Sequence, residues 1–338
     1  MSASAPPSIL VTGATGFVGR HLLQELAAGA PPRATLALVR DELAWRALDW
    51  TEKLEGVETI HGSVLAPERF HDDARLASVR AIVHLAAVVK HSRRGAEEVE
   101  PTNVDGTLAM VRLAARLRAR LVFVSTSGTV ACFASRNESA DEDAPWCEAA
   151  VAGWPYYRSK VRAEREATKL AAQLGVELTV VRPPIVLGPG DHRFRSTSNV
   201  LKAMRGKLPI IIRGGIAFVD VRDVAQALVR LTEIPSVRPI YHLPGTSWGV
   251  TEFFAAVESI SGRPGPRIVL PFLPAWLLGS ATHALGLHVL PDPVVIEMAS
   301  RWWDVRSRYA ERELGYRPRD PRETLADTIA WLGENAPK

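Results

Sequence analysis

Tyr156 and Lys160 lie four residues apart in a segment whose apolar spacing and alanine content favour helix. At that spacing two helical side chains share one face. A phenol beside an ammonium is a proton-transfer pair. Free tyrosine, with a pKa near ~10, is a poor partner at neutral pH. Lowering it by about three units takes roughly 4 kcal/mol of differential stabilisation, within reach of a desolvated cation close by together with a second positive charge. Tyr157, the next residue, reads as an ordinary half-buried helix tyrosine. Ser127 follows an apolar run, Leu121 to Ser125, and so stands at the C-terminal end of a strand, where ligands of open α/β sheets collect. Its hydroxyl can donate to the same substrate oxygen. Ser125 and Thr126 exchange with it if the register shifts by one, since alternate strand residues face opposite sides.

A proton donor needs a reaction to serve, and a glycine turn indicates which. Thr12-Gly13-Ala14-Thr15-Gly16-Phe17-Val18-Gly19 follows a first strand, Ile9 to Val11, and opens a helix over Phe17 to Ala28. Glycines at 13, 16 and 19 permit a tight turn, close backbone approach to a pyrophosphate, and close packing of helix on sheet. That is the cradle of a dinucleotide. Hydride transfer from a nicotinamide to a carbonyl then creates the alkoxide that Tyr156 protonates, and the oxidised nicotinamide brings that second positive charge. After the second strand, Thr35 to Val39, an NAD enzyme would present a carboxylate to the ribose, whereas this chain has Arg40 and then Asp41. A guanidinium there pairs bidentately with a 2′-phosphate, so NADP(H) is favoured over NAD(H). If the strand ends one residue later, Asp41 does the ribose work and Arg40 is solvated.

The elements that must position these groups alternate as βαβ units, which build a parallel sheet. Val57 to Ile60, Ala81 to Leu85, Leu121 to Ser125 and Val176 to Val181 read as further strands, and Asn103 to Leu117 as a helix. Such apolar strands belong where helices cover both faces. After Arg182 the alternation breaks down. The expected fold is therefore α/β, a Rossmann doubly wound parallel sheet over residues 1–182, rejoined by about 218–242. A smaller, discontinuous C-terminal substrate lobe takes most of 183–338.

Composition agrees. The chain has 338 residues, 47% hydrophobic and 23% charged, which excludes disorder and collagen and suits about two domains. Cys132 and Cys147 are the only cysteines, too few for a disulfide framework or a structural zinc, so no metal is expected and a reducing compartment fits. The net charge of +4 comes from scattered arginines, read as solvated helix faces without a nucleic-acid partner. Met1 to Ser8 has no signal-peptide character, and the cytoplasm is the expected location. Ile268 to Pro291 carries no Asp, Glu, Lys or Arg, but prolines and glycines interrupt it. That suits a greasy wall around a substrate better than a membrane span, with peripheral membrane contact as an alternative.

Several blocks occur in an order that resembles the extended short-chain dehydrogenase/reductase family. Besides the glycine turn they are Val83-His84-Leu85-Ala86-Ala87, Asn103-Val104-Asp105-Gly106-Thr107, Phe123 to Ser127, Tyr156 to Lys160, Arg182 to Asp191, Phe218 to Ala225 and Leu314 to Arg319. The Arg182 tract is more similar to the dihydroflavonol-reductase and hydroxysteroid-dehydrogenase branches than to sugar epimerases. The resemblance implies that Ser127, Tyr156 and Lys160 are catalytic and that Lys160 also holds the nicotinamide ribose. It implies cofactor contacts from Gly13, Thr15, Gly16, Phe17, Val18, Leu85, Ala86, Ala87, Pro183 and Val186. Asn103 matches a family asparagine, which implies a cofactor contact, or it caps a helix. Where the family commonly has Gly-Asp after the third strand, this chain has Gly62-Ser63, so Ser63 offers a weaker hydrogen bond to adenine while Val64 flanks it.

His84 reads as a strand histidine satisfied by backbone. Lys90, His91 and Thr129 are candidates to face the substrate. Trp248, Phe253, Phe254, Phe272, Trp276, Trp302 and Trp303 make the second half aromatic, either as a wall for a hydrophobic carbonyl compound or as the core of its lobe. The expected function is an NADP(H)-dependent oxidoreductase that interconverts such an aldehyde or ketone and its alcohol. The alternatives are an NAD-bound nucleotide-sugar epimerase or dehydratase and a non-catalytic NADP-sensing regulator. Family members often dimerise, which leaves a homodimer open.

Overall fold

A computed structural model describes residues 8–287 and 291–337. Most of the N-terminal segment read above, and His288 to Leu290 of the uncharged stretch, lie outside the described residues. In the first half come β1 (Ser8–Thr12), α1 (Phe17–Ala28), β2 (Thr35–Val39), α2 (Glu42–Arg46), β3 (Val57–His61) and β4 (Val79–His84). Then follow α3 (Gly106–Leu117), β5 (Arg120–Val124), α4 (Glu148–Val151), α5 (Pro155–Leu174), β6 (Leu178–Arg182) and β7 (Ile185–Leu187). Next are α6 (Ser198–Met204), β8 (Ile210–Ile212), β9 (Gly215–Asp220), α7 (Val221–Glu233), β10 (Ile240–His242) and β11 (Thr246–Gly249). The chain closes with α8 (Val250–Ser261), β12 (Ile268–Leu270), α9 (Phe272–Ala284), α10 (Pro293–Ala299), α11 (Ala310–Leu314) and α12 (Pro321–Asn335).

Seven parallel strands form the main sheet in the order β10-β6-β5-β4-β1-β2-β3. The chain runs outward from β1 in one direction and from β4 in the other. The crevice beyond the C-terminal ends of β1 and β4 is thus the switch point where a ligand of this fold sits. Every residue of β1 and β2 is buried, because helices cover both faces. α7 packs against α1, and β10 forms one edge of the sheet, so residues beyond the first half complete it. A second layer has β11-β9-β7 and the pair β12-β8, with its own core around Phe218, Phe253, Phe254, Leu325 and Leu332.

Element boundaries shift for local reasons. The sixth strand begins at Leu178 instead of Val176, because Gly175 ends α5 with φ +66 and Val176 still caps that helix with its N–H on Ala171 O. Ser125 leaves the fifth strand. The helix expected from Asn103 starts as a wide turn, Pro101–Asp105, before α3 proper.

A buried ion pair holds α5 to the sheet. Arg182, at the end of β6, donates from Nη2 to Glu164 Oε2 at 2.6 Å, with both side chains almost fully buried. The same carboxylate accepts from Thr129 Oγ1 at 2.9 Å and from Trp146 Nε1 at 2.7 Å. His242, paired in register with Arg182, accepts from Arg182 Nη1 at 3.3 Å, which places its Nδ1–H on Arg306 O at 3.0 Å. Burial, with the adjacent Arg182 charge, lowers His242 to about 4, so it is neutral at physiological pH. Removing one partner of such a pair strands a charge in a low dielectric. Glu164→Ala is expected to lower stability by roughly 3–5 kcal/mol, read as a fall in urea midpoint at constant slope; a midpoint within error of the parent would refute the pair's structural weight.

Candidate active site

The glycine turn lies at the switch point. Gly13 has φ +71, and a Cβ there would lie 2.7 Å from Leu85 C and Ala86 N. The backbone of the 85–87 segment therefore runs directly against the turn. Gly16 caps α1 without any side chain, and its N–H donates to Gly13 O at 2.9 Å, which leaves the first N–H groups of α1 directed at the crevice. A Cβ on Gly19 would strike Gly13 O. Thr15, Phe17 and Val18 are half-buried, Val18 against the main core.

Behind the turn runs a chain of hydrogen bonds. Thr12 and His84 are register partners on β1 and β4, and Thr12 Oγ1 bonds His84 Nδ1 at 2.7 Å while accepting from Ala86 N at 3.2 Å. His84 Nε2 then donates to Thr107 Oγ1 at 3.1 Å, and Thr107 donates to Asn103 O at 2.7 Å. Burial lowers His84 to about 3 and keeps it neutral, as this chain of single donors requires. It is satisfied by two hydroxyls and not by backbone. Asn103 is no helix cap either. Its amide brackets Val88, accepting from Val88 N at 2.8 Å and donating to Val88 O at 3.0 Å, and it also donates to Ser159 Oγ at 2.9 Å. It ties the strand-end segment to the helix that carries Tyr156.

Ser127 sits in a short turn after β5, with its N–H on Pro183 O at 2.9 Å. The Pro183 carbonyl is thus already used once within the protein, and Val186 packs half-buried on β7. Pro155 starts α5 where a missing N–H costs nothing, and Tyr156 and Lys160 follow on one face. Lys160 is buried; its Nζ donates to Val124 O at 2.9 Å and lies 4.7 Å from the Phe123 ring centre. Burial lowers Lys160 to about 8, with Glu164, one turn on, acting in the opposite sense. Tyr156 is half-buried, and desolvation holds its hydroxyl above the ordinary tyrosine range. The lowering anticipated from Lys160 is therefore not present in the protein alone, because desolvation of the phenol dominates.

Aromatic rings surround the phenol. His91 meets Tyr156 edge-on at 5.9 Å and stacks on Tyr157 at 6.1 Å, and its Nδ1 is buried without a protein partner. Tyr157 stacks on Trp303 at 5.3 Å and abuts Trp154 at 6.0 Å, while its ring fills the space beside Gly128. Lys90 instead folds back so that its Nζ occupies the space over Gly95. Thr129, expected to face substrate, is buried with its hydroxyl committed to Thr126 O and Glu164. The Val64 side chain is buried, against Gly106 on one side. Ser63 is half-buried, its Oγ accepting from Leu65 N at 3.3 Å. Trp248, Phe253 and Phe254 belong to the second core, and Trp302 packs on Gly215. Trp303 reaches the tyrosines, whereas Trp146 and Trp154, which come from the first half, were not anticipated.

At the other end of the crevice Arg40 is exposed, its carbonyl bonded to His61 Nε2 at 3.0 Å. A second guanidinium arrives from the loop after β7. Arg193 Nη2 donates to Thr15 Oγ1 at 3.3 Å, and the positive charges of Arg195 and Arg40 both act on Arg193. That loop is pinned to α1 by His21 Nε2 on Pro189 O at 2.8 Å, and Gly188 and Gly190 have φ of +137 and +92. The Gly-Pro-Gly-Asp run was a visible signal for the loop, but the reach of Arg193 was not. Among the described residues no cluster of His, Cys, Asp or Glu could hold a metal ion.

The crowded glycines, the uncapped α1, the cationic end and the orphaned His91 Nδ1 all fit a nicotinamide dinucleotide. The model of the NAD dependent epimerase/dehydratase family matches residues 9–242. This chain belongs to that family. It falls in the extended short-chain dehydrogenase/reductase group, in the branch of the dihydroflavonol reductases. Dihydroflavonol 4-reductase of Zea mays is 34% identical over 71% of this chain and 70% of its own length. Sterol demethylase protein B of Methylococcus capsulatus is 28% identical over 96% of this chain and 98% of its own. The crystal structure of gox2253 superposes with a TM-score of 0.81 at 26% identity, covering 98% of this chain and 99% of that one. As a family member the protein is an oxidoreductase-type enzyme with reductases among its relatives. A Cβ at Gly13 forces the turn away from Leu85 and Ala86. Gly13→Ala is expected to weaken dinucleotide binding about tenfold or more by calorimetry, and unchanged affinity would show that the turn is not the cradle.

Proposed function

We propose that this protein is an NADP(H)-dependent reductase that interconverts a hydrophobic aldehyde or ketone and its alcohol. The observation that carries the reading is the placement of Tyr156: a half-buried phenol, one helical turn from the buried Lys160 and beside the rings of His91 and Tyr157, with Trp154 and Trp303 packed behind Tyr157. Such a wall suits an apolar carbonyl compound. The guanidinium of Arg193 on Thr15, with the charge of Arg40 acting on it, favours a cofactor carrying a 2′-phosphate. The named activities of the relatives, a flavonoid reductase and a sterol-processing protein, are of the same substrate character.

A nicotinamide held in the crevice at the glycine turn would supply or accept the hydride. In the reducing direction the Tyr156 hydroxyl gives its proton to the substrate oxygen, and the phenolate left behind is reprotonated from solvent. Desolvation keeps Tyr156 protonated until the oxygen becomes basic enough to take that proton. The Lys160 ammonium, held by Val124 O, lies one turn away to stabilise the phenolate as it forms. Ser127 donates to the same oxygen and orients it. Asn103 holds the 85–88 segment, against which the dinucleotide would lie, at a fixed distance from α5.

The decisive assay follows nicotinamide absorbance with NADPH and NADH against aromatic aldehydes, ketones, sterol ketones and sugar nucleotides. NADPH consumption on an apolar carbonyl is expected, with Tyr156→Phe lower by about 10²–10⁴-fold. Arg40→Ala is expected to raise KM for NADPH about tenfold and leave that for NADH unchanged. Conversion of a sugar nucleotide without net cofactor use would overturn the reading. The pH dependence has a definite sign. Lys160, depressed to about 8, is charged below that pH and loses its proton above it. Reduction is therefore expected to fall as pH rises through about 8, because kcat/KM reports the free enzyme. In Lys160→Arg the falling limb moves to higher pH; a limb that stays in place belongs to another group.

A further inference from the structure

Exposed large apolar side chains concentrate on one segment of this fold. Leu273, Leu277 and Leu278 of α9 are 60%, 54% and 48% exposed, and Leu285 and Leu287 just beyond it are 75% and 54% exposed. The opposite face of α9 is used for packing: Ala275 and Gly279 are buried, and Gly279 lies against Ile296 of α10. α9 is therefore apolar on its inner and outer sides alike. Among the described residues no helix is long and apolar enough to cross a membrane. At 1.5 Å per residue α9 measures only about 20 Å, against a hydrocarbon core of about 30 Å.

The sequence of this segment and its approach carries arginines and no carboxylate of its own. No Asp or Glu occurs between Glu258 and Asp292. Arg213 and Arg267 are exposed at its margin, where Arg213 N bonds Leu270 O at 3.0 Å and Arg267 N bonds Pro209 O at 3.2 Å, and Arg263 is exposed on the segment that leads from α8 into β12. Among the described residues, only Arg267 of these three pairs with a carboxylate, Glu258 at 2.8 Å. A greasy helix with a cationic margin matches an anionic lipid surface. A second copy of the chain matches less well, because a two-fold contact through this patch brings arginines toward arginines.

The patch also adjoins the site. Trp276, on α9, donates from Nε1 to Glu297 Oε1 at 3.1 Å, and Trp154 donates to the other oxygen of Glu297 at 2.8 Å. Trp154 in turn abuts Tyr157, beside Tyr156. One carboxylate thus joins the exposed helix to the aromatic wall of the crevice.

We propose that α9 and its arginine margin seat this protein on an anionic phospholipid surface, so that a lipid-dissolved carbonyl substrate reaches Tyr156 from the bilayer side. The delivery half rests on the reductase reading, whereas the docking half does not. The test is co-sedimentation of the full chain with vesicles of phosphatidylcholine plus phosphatidylglycerol, and with phosphatidylcholine alone. Binding is expected with the anionic vesicles and is weakened by salt. Leu273→Asp with Leu277→Asp is expected to lower the partition coefficient about tenfold or more. Arg213→Glu with Arg263→Glu should act in the same direction. Both double variants should keep NADPH oxidation with a water-soluble aldehyde, which also shows that they fold. Failure of the parent protein to bind anionic vesicles, equal binding by the leucine variant, or a dimer that the leucine variant splits would each overturn the proposal. Absence of aldehyde turnover in the parent would instead count against the reductase reading and leave the vesicle result standing.

Discussion

The buried carboxylate of Glu164 is the constraint on which the rest of this site depends. It joins Arg182 at the end of β6, Thr129 in the turn after β5, and Trp146 in the long segment that follows, all to one point on α5. Tyr156 and Lys160 lie two turns and one turn earlier on that helix. Their height above the sheet is set by where Glu164 meets Arg182. Buried ion pairs give little net stability, but losing one partner is costly. The pair therefore acts against sliding of α5 more than it adds to folding free energy.

A second constraint works on the other side of the crevice. Thr12, His84, Thr107 and Asn103 form one continuous relay of donors and acceptors from β1 to α3, and Asn103 extends it to Val88 and Ser159. Each group in that relay has a single role to fill, which requires a neutral His84 with the proton on Nε2. The segment after β4 is thereby fixed against both the glycine turn and α5. Cradle and proton donor share one rigid frame, as differential binding of a transition state demands.

The two ends of the crevice differ in character. At Thr15 the protein brings a guanidinium from the loop after β7, on which the charge of Arg40, just beyond β2, also acts. Around Tyr156 it gathers rings, with Glu297 as the polar link between Trp154 and Trp276. A long molecule with an anionic end and a reactive, less polar end is oriented by that contrast alone.

What could be read from the chain by itself was whatever depends on neighbours in sequence. The glycine turn, the Tyr156 and Lys160 spacing, the apolar strands and the open α/β class follow from dihedral limits and periodicity, which act over a few residues. The sequence also yielded Arg40, because its place follows directly from the end of β2. The second guanidinium is different: Arg193 reaches Thr15 across a separation of 178 residues, and no local pattern announces it. Asn103 read either as a cofactor contact or as a helix cap, and its partners within the protein are Val88 and Ser159. Thr129 looked available for substrate, but the fold had a buried carboxylate in need of a donor. The aromatic residues of the second half divide between a core and a wall according to which layer buries them, and hydrophobicity is blind to that choice. Local chemistry determined the parts. Tertiary structure decided their partners, because a buried polar group must bond whatever the fold brings beside it.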